Sequence, residues 1–279
     1  MISFITSTWN HEKYIERCIH SVQNQTDSDW EMIILDDGSS DKTGEIARSL
    51  SDNRKIFYFY QENIGVGRLH ETYNTMMAKS KGEIVAVLEG DDMATPERVE
   101  NHKFGFAQHP NAVANWGYGL QIDENGKTFG IKIPDPFYVE KWGYVTMPHE
   151  EQIVRMLKNC YVISGAMGIK RKALERIGGW KAGEYYTDYP TYLQLILEGE
   201  IAFVPRLMMY WGKHANNFTS KRGPQARPDK DALAAYDRYP EKYKKLIGKT
   251  HLKLWWKYYI ATERMRYHRY SEAVRILLE

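Results

Sequence analysis

The chain has 279 residues with 43% hydrophobic and 27% charged side chains and a formal net charge of +2, a balance typical of a globular protein with a buried core. Its two cysteines, Cys18 and Cys160, follow no metal-binding or redox spacing, which excludes a disulfide framework and suits a reducing compartment. No apolar run has the length of a membrane span and the N-terminus shows no secretory leader pattern, so we expect a cytoplasmic protein.

The N-terminal part of the chain alternates between strand and helix patterns, which predicts an α/β fold with a parallel sheet and helices on its faces. The predicted strands are the apolar, β-branched runs 2–8, 30–35, 55–60 and 83–88. The predicted helices are 12–24, 41–50, 66–80 and a further one with Pro96 in its first turn.

The pattern is less regular after residue 112, and it predicts a mixture of short elements and loops. The predicted strands are a pair within 112–131 around a turn at 123–126, then 162–169 and 201–211. The predicted helices are 150–158, 172–177 ended by two glycines, 188–198 with Pro190 in its first turn, and those from 230 onward, broken near Pro240 and Gly248. The predicted loops are 134–150 and 212–229.

Polar residues follow three of the predicted strands, at the point where each strand ends. These are Ser7 and Thr8, then Asp36 and Asp37, and then Glu89 to Asp92. Because ligands of parallel sheets bind beyond the carboxyl ends of the strands, we expect these side chains to share one cleft.

The acidic cluster Glu89-Gly90-Asp91-Asp92 offers carboxylate oxygens beside a glycine that lets a ligand approach the backbone. Mg²⁺ and Mn²⁺ take such oxygens together with substrate phosphates, and they neutralise the charge of a departing diphosphate. The alternative is structural, since Asp92 near a helix start would complement the helix dipole.

Asp37 ends the second predicted strand in the segment DDGSSDKT. A carboxylate at this place can accept a hydrogen bond from the imide N–H of uracil or a related base edge. The alternative is a turn followed by a helix cap, which is the role that we assign to Asp41.

Six segments together resemble the family 2 glycosyltransferases of the GT-A fold, in the family's own order and over residues 2 to 215. They are TSTWNHEKYIERCIHSVQNQ (6–25), IILDDGSSDKT (33–43), NIGVG (63–67), KGEIVAVLEGDD (81–92), SGAMGIKRKALERIGGW (164–180) and YTDYPTYLQLILEG (186–199). The resemblance implies a GT-A-type, mostly parallel sheet flanked by helices, and a nucleotide-diphosphate sugar as donor, with a UDP-sugar favoured. It also implies a divalent metal, Mn²⁺ or Mg²⁺, and usually inversion at the anomeric carbon.

On the nucleotide side, the resemblance implies that residues Ser7 to Trp9 contact the nucleobase, partly through backbone atoms, and that Asp37 reads the base. The family's Ala-Arg-Asn stretch is replaced here by GRLHETYN (67–74), with a short insertion. Arg68 is therefore the expected diphosphate contact, and Tyr73 is the alternative occupant of that place.

On the catalytic side, the resemblance implies Asp92 as the first choice of metal ligand and Asp91 as a ligand of the metal or the ribose. Glu89 replaces the usual first aspartate of the DXD motif, and its longer side chain shifts the ion or ribose contact. His214 in YWGKH is expected near the metal and diphosphate, or as a loop histidine bonded to backbone. Asp188 in TDYPTYLQL is expected as the catalytic base, which typically contributes roughly 10²–10⁴-fold, or as a helix N-cap.

We expect a catalytic domain over 1–225, with a nucleotide-binding half at 1–110 and an acceptor-binding half at 111–225, and a helical extension over 226–279. Within the extension, residues 241–270 carry nine Lys/Arg and two Glu. This segment is interpreted either as an amphipathic helix packed on the body or as a surface for an anionic partner, such as a membrane surface, a charged glycan or nucleic acid.

Together these observations predict a metal-dependent inverting glycosyltransferase, cytoplasmic or peripheral on the inner face of the membrane, that builds a surface or envelope glycan. The alternatives are transfer to a modified nucleic-acid base or to a protein, a nucleotidyltransferase, and a non-catalytic nucleotide-sugar binder. A nucleotidyltransferase usually begins with a glycine-rich, basic phosphate loop, and the segment 7–11 has no such composition.

Overall fold

A computed structural model of the chain describes residues 1–132, 146–183, 187–217, 228–266 and 270–278. Most of the predicted loops 134–150 and 212–229 lies outside the described residues. The strands are β1 Ile2–Thr8, β2 Trp30–Asp37, β3 Ile56–Gln61, β4 Ile84–Val87, β5 Met93–Ala94, β6 Ala114–Ile122, β7 Thr128–Lys132, β8 Gly168–Lys170 and β9 Ile201–Gly212.

The helices agree with the predicted ones within a few residues at each end. They are α1 Ile15–Gln23, α2 Thr43–Ser49, α3 Leu69–Lys79, α4 Arg98–Gln108, α5 His149–Lys158, α6 Arg171–Arg176, α7 Asp188–Glu198, α8 Pro228–Arg238, α9 Glu241–Lys244, α10 Lys249–Arg266 and α11 Tyr270–Leu278. Single turns of 3₁₀ helix occupy Val66–Arg68 and Ser164–Ala166. No helix among the described residues is long and apolar enough to cross a membrane.

The strands form one mixed sheet within the described part of the chain, in the order β3-β2-β1-β4-β8-β6-β9-β5, with β7 paired to β6. The first four of these strands are parallel, as are β6 and β9. Strand β8 runs antiparallel to both β4 and β6 and joins the two parallel groups. The predicted mostly parallel α/β sheet is therefore confirmed.

The register of the first strands brings their carboxyl ends to one edge of the sheet. Thr8 of β1 pairs with Asp36 of β2, and Ile5 pairs with Val87 of β4. Beyond β4, Gly90 N–H donates to the carbonyl of Ser7 at 3.0 Å. The polar residues that follow β1, β2 and β4 are consequently neighbours.

Two local predictions were wrong in detail, and one short strand was not predicted. The apolar run 162–169 is not one strand, because the backbone turns at Ser164–Ala166 before β8 begins. Pro96 lies ahead of α4 and not in its first turn, which starts at Arg98. Strand β5 was not predicted, since a two-residue strand carries no periodicity and depends on its antiparallel pairing with β9.

The core forms two clusters of apolar side chains. Alternation along β1 puts Ile2 and Phe4 in the cluster with α1, whereas Ile5 belongs to the other. That larger cluster includes Tyr236 of α8 and Trp256 of α10. The C-terminal helices thus share the core of the sheet.

Candidate active site

A tight turn after β4 carries the three acids of the cluster. Asp92 N–H donates to the carbonyl of Glu89 at 3.0 Å, which closes the turn. A Cβ atom on Gly90 would lie 2.6 Å from Thr8 Oγ1 and 2.9 Å from His11 Nδ1, so only glycine fits against the end of β1. Glycine therefore lets the acidic turn press against the neighbouring strand.

Glu89 is the first acid of the turn, and its pKa is raised by its surroundings. Burial raises the pKa of Glu89 to about 8, a hydrogen bond from Tyr73 opposes this, and the charges of Asp91 and Asp188 reinforce it. Tyr73 on α3 donates its hydroxyl to Glu89 Oε1. Tyr73 therefore contacts the acidic cluster. The charges of Asp91 and Asp188 both act on the pKa of Glu89.

Asp91 is held by two residues from the segment after β9. His214 Nε2 lies 2.9 Å from Asp91 Oδ2, and His214 Nδ1 accepts a hydrogen bond from Asn216 N–H at 3.2 Å. Asn217 Nδ2 donates to the same oxygen at 3.0 Å. Burial disfavours the Asp91 anion, but the bond from His214 and the charge of His11 hold the pKa of Asp91 below its ordinary value.

His11 completes a group that can bind a cation. One ligand atom each from His11, Asp91 and His214 lies within 4.8 Å of the others. The pKa of His11 is lowered chiefly by burial, which favours the neutral ring that coordinates metals. The sequence reasoning missed His11, although its place directly after β1 was a usable signal.

Among the described residues, Asp92 is not a member of the group that His11, Asp91 and His214 form. It is buried, and its Oδ1 accepts Gly212 N–H at 2.8 Å. Burial and the neighbouring charge of Asp91 raise the pKa of Asp92 well above its ordinary value. The structure groups Asp91 with the histidines, and the predicted role of Asp92 as first metal ligand stays a prediction.

Asp188 is the first residue of α7, and its carboxylate points toward the 3₁₀ turn ahead of β8. Its Oδ2 accepts the hydroxyl of Ser164 at 2.5 Å. Thr187 is the N-cap residue of α7, and Asp188 is the first residue inside the helix, so Asp188 is not the N-cap. The charge of Asp188 acts on Glu89, which places the expected base beside the acidic cluster.

Asp37 accepts hydrogen bonds from the last residue of β3 and from the segment that follows it. Its Oδ1 accepts Gln61 Nε2 at 2.7 Å and Ile64 N–H at 3.0 Å, and its Oδ2 accepts Gly65 N–H at 3.2 Å. Gln61 also donates to Thr72 at 3.2 Å, next to Tyr73 on α3. Helix α3 thus contacts the hydrogen-bond network of Asp37 through Thr72 and contacts Glu89 through Tyr73.

The remaining residues that were expected to contact the nucleotide are those at the end of β1 and Arg68. Ser7 and Thr8 end β1 as buried residues, whereas the Trp9 side chain is 54% exposed. Arg68 is exposed and forms two hydrogen bonds to Glu71, at 2.7 and 2.6 Å, instead of pointing to the acidic cluster. Its role as a diphosphate contact stays a prediction.

The chain resembles known proteins over most of its length. Residues 3–178 match the family described as Glycosyl transferase family 2. The O-antigen biosynthesis glycosyltransferase WbnJ of Escherichia coli is 28% identical over 244 residues, which are 85% of each protein. An uncharacterized glycosyltransferase of Nostoc is 38% identical over 129 residues, but that match spans 46% of this chain and 39% of the relative.

Two solved structures share the fold. TarS 1–349 of S. aureus in complex with UDP has a TM-score of 0.66 at 16% identity, covering 95% of this chain and 72% of the TarS 1–349 chain. The mannosyltransferase PcManGT of Pyrobaculum calidifontis, in complex with GDP-Man and Mn²⁺, has a TM-score of 0.62 at 16% identity, covering 99% and 78%. At such identities the likeness establishes the fold alone.

The family match, the relatives and the mixed sheet with its acidic turn agree with one another. The chain therefore belongs to glycosyl transferase family 2, and it is a glycosyltransferase with the GT-A fold.

Proposed function

We propose that this glycosyltransferase is metal-dependent and inverting, and that it moves a sugar from a nucleotide-diphosphate sugar, with UDP favoured, to a hydroxyl of a surface or envelope glycan. The observation that carries the proposal is the grouping of His11, Asp91 and His214 beside the acids Glu89 and Asp188. The glycan acceptor is supported by the relative named for O-antigen biosynthesis. The donor class is supported by solved neighbours in complex with UDP and with GDP-Man.

The grouped side chains fit a divalent cation. His11, Asp91 and His214 offer two imidazole nitrogens and one carboxylate oxygen within 4.8 Å of one another. Imidazole suits transition metals better than Mg²⁺, which prefers oxygen ligands, so this set favours Mn²⁺. When bound, the ion supplies charge neutralisation for the departing diphosphate.

Residues at the ends of β1 and β2 are the proposed nucleotide site. Asp37 is held in one orientation by Gln61, Ile64 and Gly65, so its oxygens are preorganised for a base edge. The exposed indole of Trp9 offers a flat apolar face at the same edge. Backbone atoms of Ser7 and Thr8 complete this site.

Asp188 is the proposed general base. Its hydrogen bond with Ser164 fixes the carboxylate at the start of α7, where it accepts the proton of the acceptor hydroxyl. The acceptor oxygen forms a bond to the anomeric carbon as the bond from that carbon to the diphosphate breaks. Attack on the face opposite the leaving group inverts the configuration.

The division into a nucleotide-binding half at 1–110, an acceptor-binding half at 111–225 and an extension at 226–279 remains part of this proposal, as does a cytoplasmic location. The larger core cluster includes side chains of α8 and α10, so the proposed extension is packed on the catalytic fold.

The proposal is tested by incubating the protein with a panel of nucleotide sugars and glycan acceptors, with and without Mn²⁺. Asp188→Asn keeps the size of the side chain but cannot take a proton. We expect it to lower kcat by roughly 10²–10⁴-fold with little change in the KM for the donor. Asp123→Asn, in the turn between β6 and β7, is the matched control and is expected to behave as wild type.

Four results would contradict parts of the proposal. Donor binding without turnover, with Asp188→Asn equal to wild type, would indicate a non-catalytic nucleotide-sugar binder. Full activity in chelator would remove the metal requirement, and retention of the anomeric configuration in the product would remove inversion. Turnover only with nucleic acid or protein as acceptor would replace the glycan.

A further inference from the structure

Helix α10 is fixed against the body by its inner side. Leu252, Trp256 and Ile260 are buried in the larger core cluster. The indole N–H groups of Trp255 and Trp256 donate to the carbonyls of Lys158 and Leu157, at 2.9 and 3.0 Å. These carbonyls are among the last of α5, where no intrahelical donor remains for them. The rotation of α10 about its axis is therefore determined.

The opposite side of α10 carries three large apolar side chains that face solvent, two before the buried Ala261 and one after it. Leu254, Tyr258 and Met265 are 48%, 62% and 41% exposed. Their spacings of four and seven residues put them on one face of the helix. A surface helix ordinarily carries charged or polar residues there, and a cluster of exposed large apolar side chains marks a contact surface.

Lysines flank this apolar face. Lys253 and Lys257 lie one turn apart along one edge of it. Over its whole length α10 contains five Lys/Arg and a single Glu, which gives it a clear positive charge. Lys249 forms an ion pair with Asp237, and Arg264 forms one with Glu272. Among the described side chains, Lys253 and Lys257 are therefore the cations beside the apolar face that can meet a partner.

We propose that this surface, which we call the outer face of α10 (Leu254, Tyr258 and Met265 with Lys253 and Lys257), docks on an anionic lipid bilayer. A helix of 18 residues is about 27 Å long, and it lies in the plane of the interface. The apolar side chains enter the boundary between head groups and acyl chains, and the lysines meet lipid phosphates.

The arrangement suits a bilayer better than nucleic acid. A nucleic-acid site places cations along the path of the phosphates, with aromatic rings for base stacking. Here two of the three exposed apolar side chains, Leu254 and Met265, are not aromatic, and Lys253 and Lys257 lie along one edge of the face. Docking in this way would hold the active site close to acceptors at a membrane surface.

The test is co-sedimentation of the full chain with vesicles of phosphatidylglycerol and phosphatidylcholine, compared with vesicles of phosphatidylcholine alone. We expect the wild type to bind the anionic vesicles, with an affinity that falls in high salt. Lys253→Gln and Lys257→Gln are each expected to lower this affinity by about fivefold. The triple variant Leu254→Ser, Tyr258→Ser and Met265→Ser is expected to lose at least about tenfold.

The matched control replaces two exposed apolar residues elsewhere. Phe129→Ser with Ile131→Ser on β7 removes side chains that are 59% and 65% exposed, and it is expected to leave vesicle binding unchanged. Turnover of a free donor and a water-soluble acceptor is expected to be the same in all these variants. The lysine variants alone decide the question if the triple variant does not fold.

Several outcomes would overturn the proposal. These are absence of wild-type binding to anionic vesicles, equal binding by the triple variant or by the doubly lysine-substituted protein, and equal loss in the β7 control. A dimer that the triple variant abolishes, without vesicle binding, would assign the face to a second copy of the chain. Salt-sensitive binding to duplex DNA in place of vesicles would assign it to nucleic acid.

Discussion

Glu89 is a carboxyl group whose protonation depends on its surroundings in the folded chain. Burial raises its pKa to about 8, the hydroxyl of Tyr73 opposes this, and the charges of Asp91 and Asp188 add to it. Its ordinary pKa is 4.5. A group whose pKa is raised on folding stabilises the fold below its unfolded pKa, and this contribution is lost as the pH rises through the folded value.

Metal-free protein is therefore expected to lose stability as the pH rises from about 4.5 to about 8. Glu89→Gln keeps an oxygen for Tyr73 and carries no charge. We expect it to raise the free energy of unfolding by on the order of 1–3 kcal/mol at about pH 8 and to change it little at about pH 4.5, since one pKa unit is worth ~1.4 kcal/mol and some solvent contact remains.

Urea unfolding at the two pH values, in the presence of a chelator, measures this difference. Tyr73→Phe serves as the companion variant, because removing the hydroxyl takes away the bond that favours the Glu89 anion. It is expected to steepen the loss of stability with rising pH. A Glu89→Gln effect of the same size at both pH values would contradict the assignment.

At the scale of elements, α4 is tied to the sheet by a buried polar network. Arg98 Nη2 donates to the carbonyl of Val87 at 2.9 Å, and its Nε donates to His102 Nε2 at 3.3 Å. His102 Nδ1 therefore carries the proton and donates to Asn115 Oδ1 on β6 at 2.6 Å. Burial, with the charge of Arg98, lowers the pKa of His102 to about 3.

A group whose pKa is lowered on folding contributes stability above its unfolded pKa, and this is lost as the pH falls through the folded value. The stability that neutral His102 provides is therefore present above about pH 6.5 and declines toward pH 3. We expect His102→Gln to cost about 1–3 kcal/mol near pH 7, through the loss of buried hydrogen bonds, and progressively less in acid.

Urea unfolding of wild type and His102→Gln at a series of pH values from about 7 to about 4 follows the difference between them. The difference removes the contribution of the carboxylates to the pH dependence of stability, because they titrate in both proteins. His20, which is exposed on α1, gives the control variant His20→Gln, which is expected to change stability by less than about 0.5 kcal/mol near pH 7. If the difference in the free energy of unfolding between wild type and His102→Gln did not change with pH, the interpretation of His102 as a buried neutral ring would be wrong.

At the scale of the whole molecule, the C-terminal helices are part of the main core. Tyr239 beyond α8 donates its hydroxyl to the carbonyl of Leu193 on α7, and Trp256 is 2% exposed. Both belong to the apolar cluster that also holds Ile5 and Leu35 of the sheet. Folding of the sheet and docking of these helices are therefore expected to be one cooperative event.

Trp256→Ala is accordingly expected to destabilise the entire protein by about 3–5 kcal/mol, with a single unfolding transition by calorimetry. Tyr258→Ala, two residues further on the exposed side, is the control and is expected to change stability by less than about 0.5 kcal/mol. Two separate transitions, with the upper one unaffected by Trp256→Ala, would show that residues 226–279 fold independently.

The sequence alone was sufficient for the order of the longer elements and for the polar residues that follow β1, β2 and β4. Periodicity and strand-end residues such as Asp36 and Asp37 depend only on neighbours a few residues away, so they are readable without coordinates. The same holds for the glycine beside Asp91, which marks a close backbone approach.

Only the tertiary structure decided which side chains meet. Asp91 lies beside His214, 123 residues further along the chain, and β5 exists because it pairs with β9. The position of Asp92 against Gly212 and the bond from Tyr73 to Glu89 likewise depend on packing between distant segments. Such contacts are set by the burial of whole helices and strands against one another, which no local pattern of residues records.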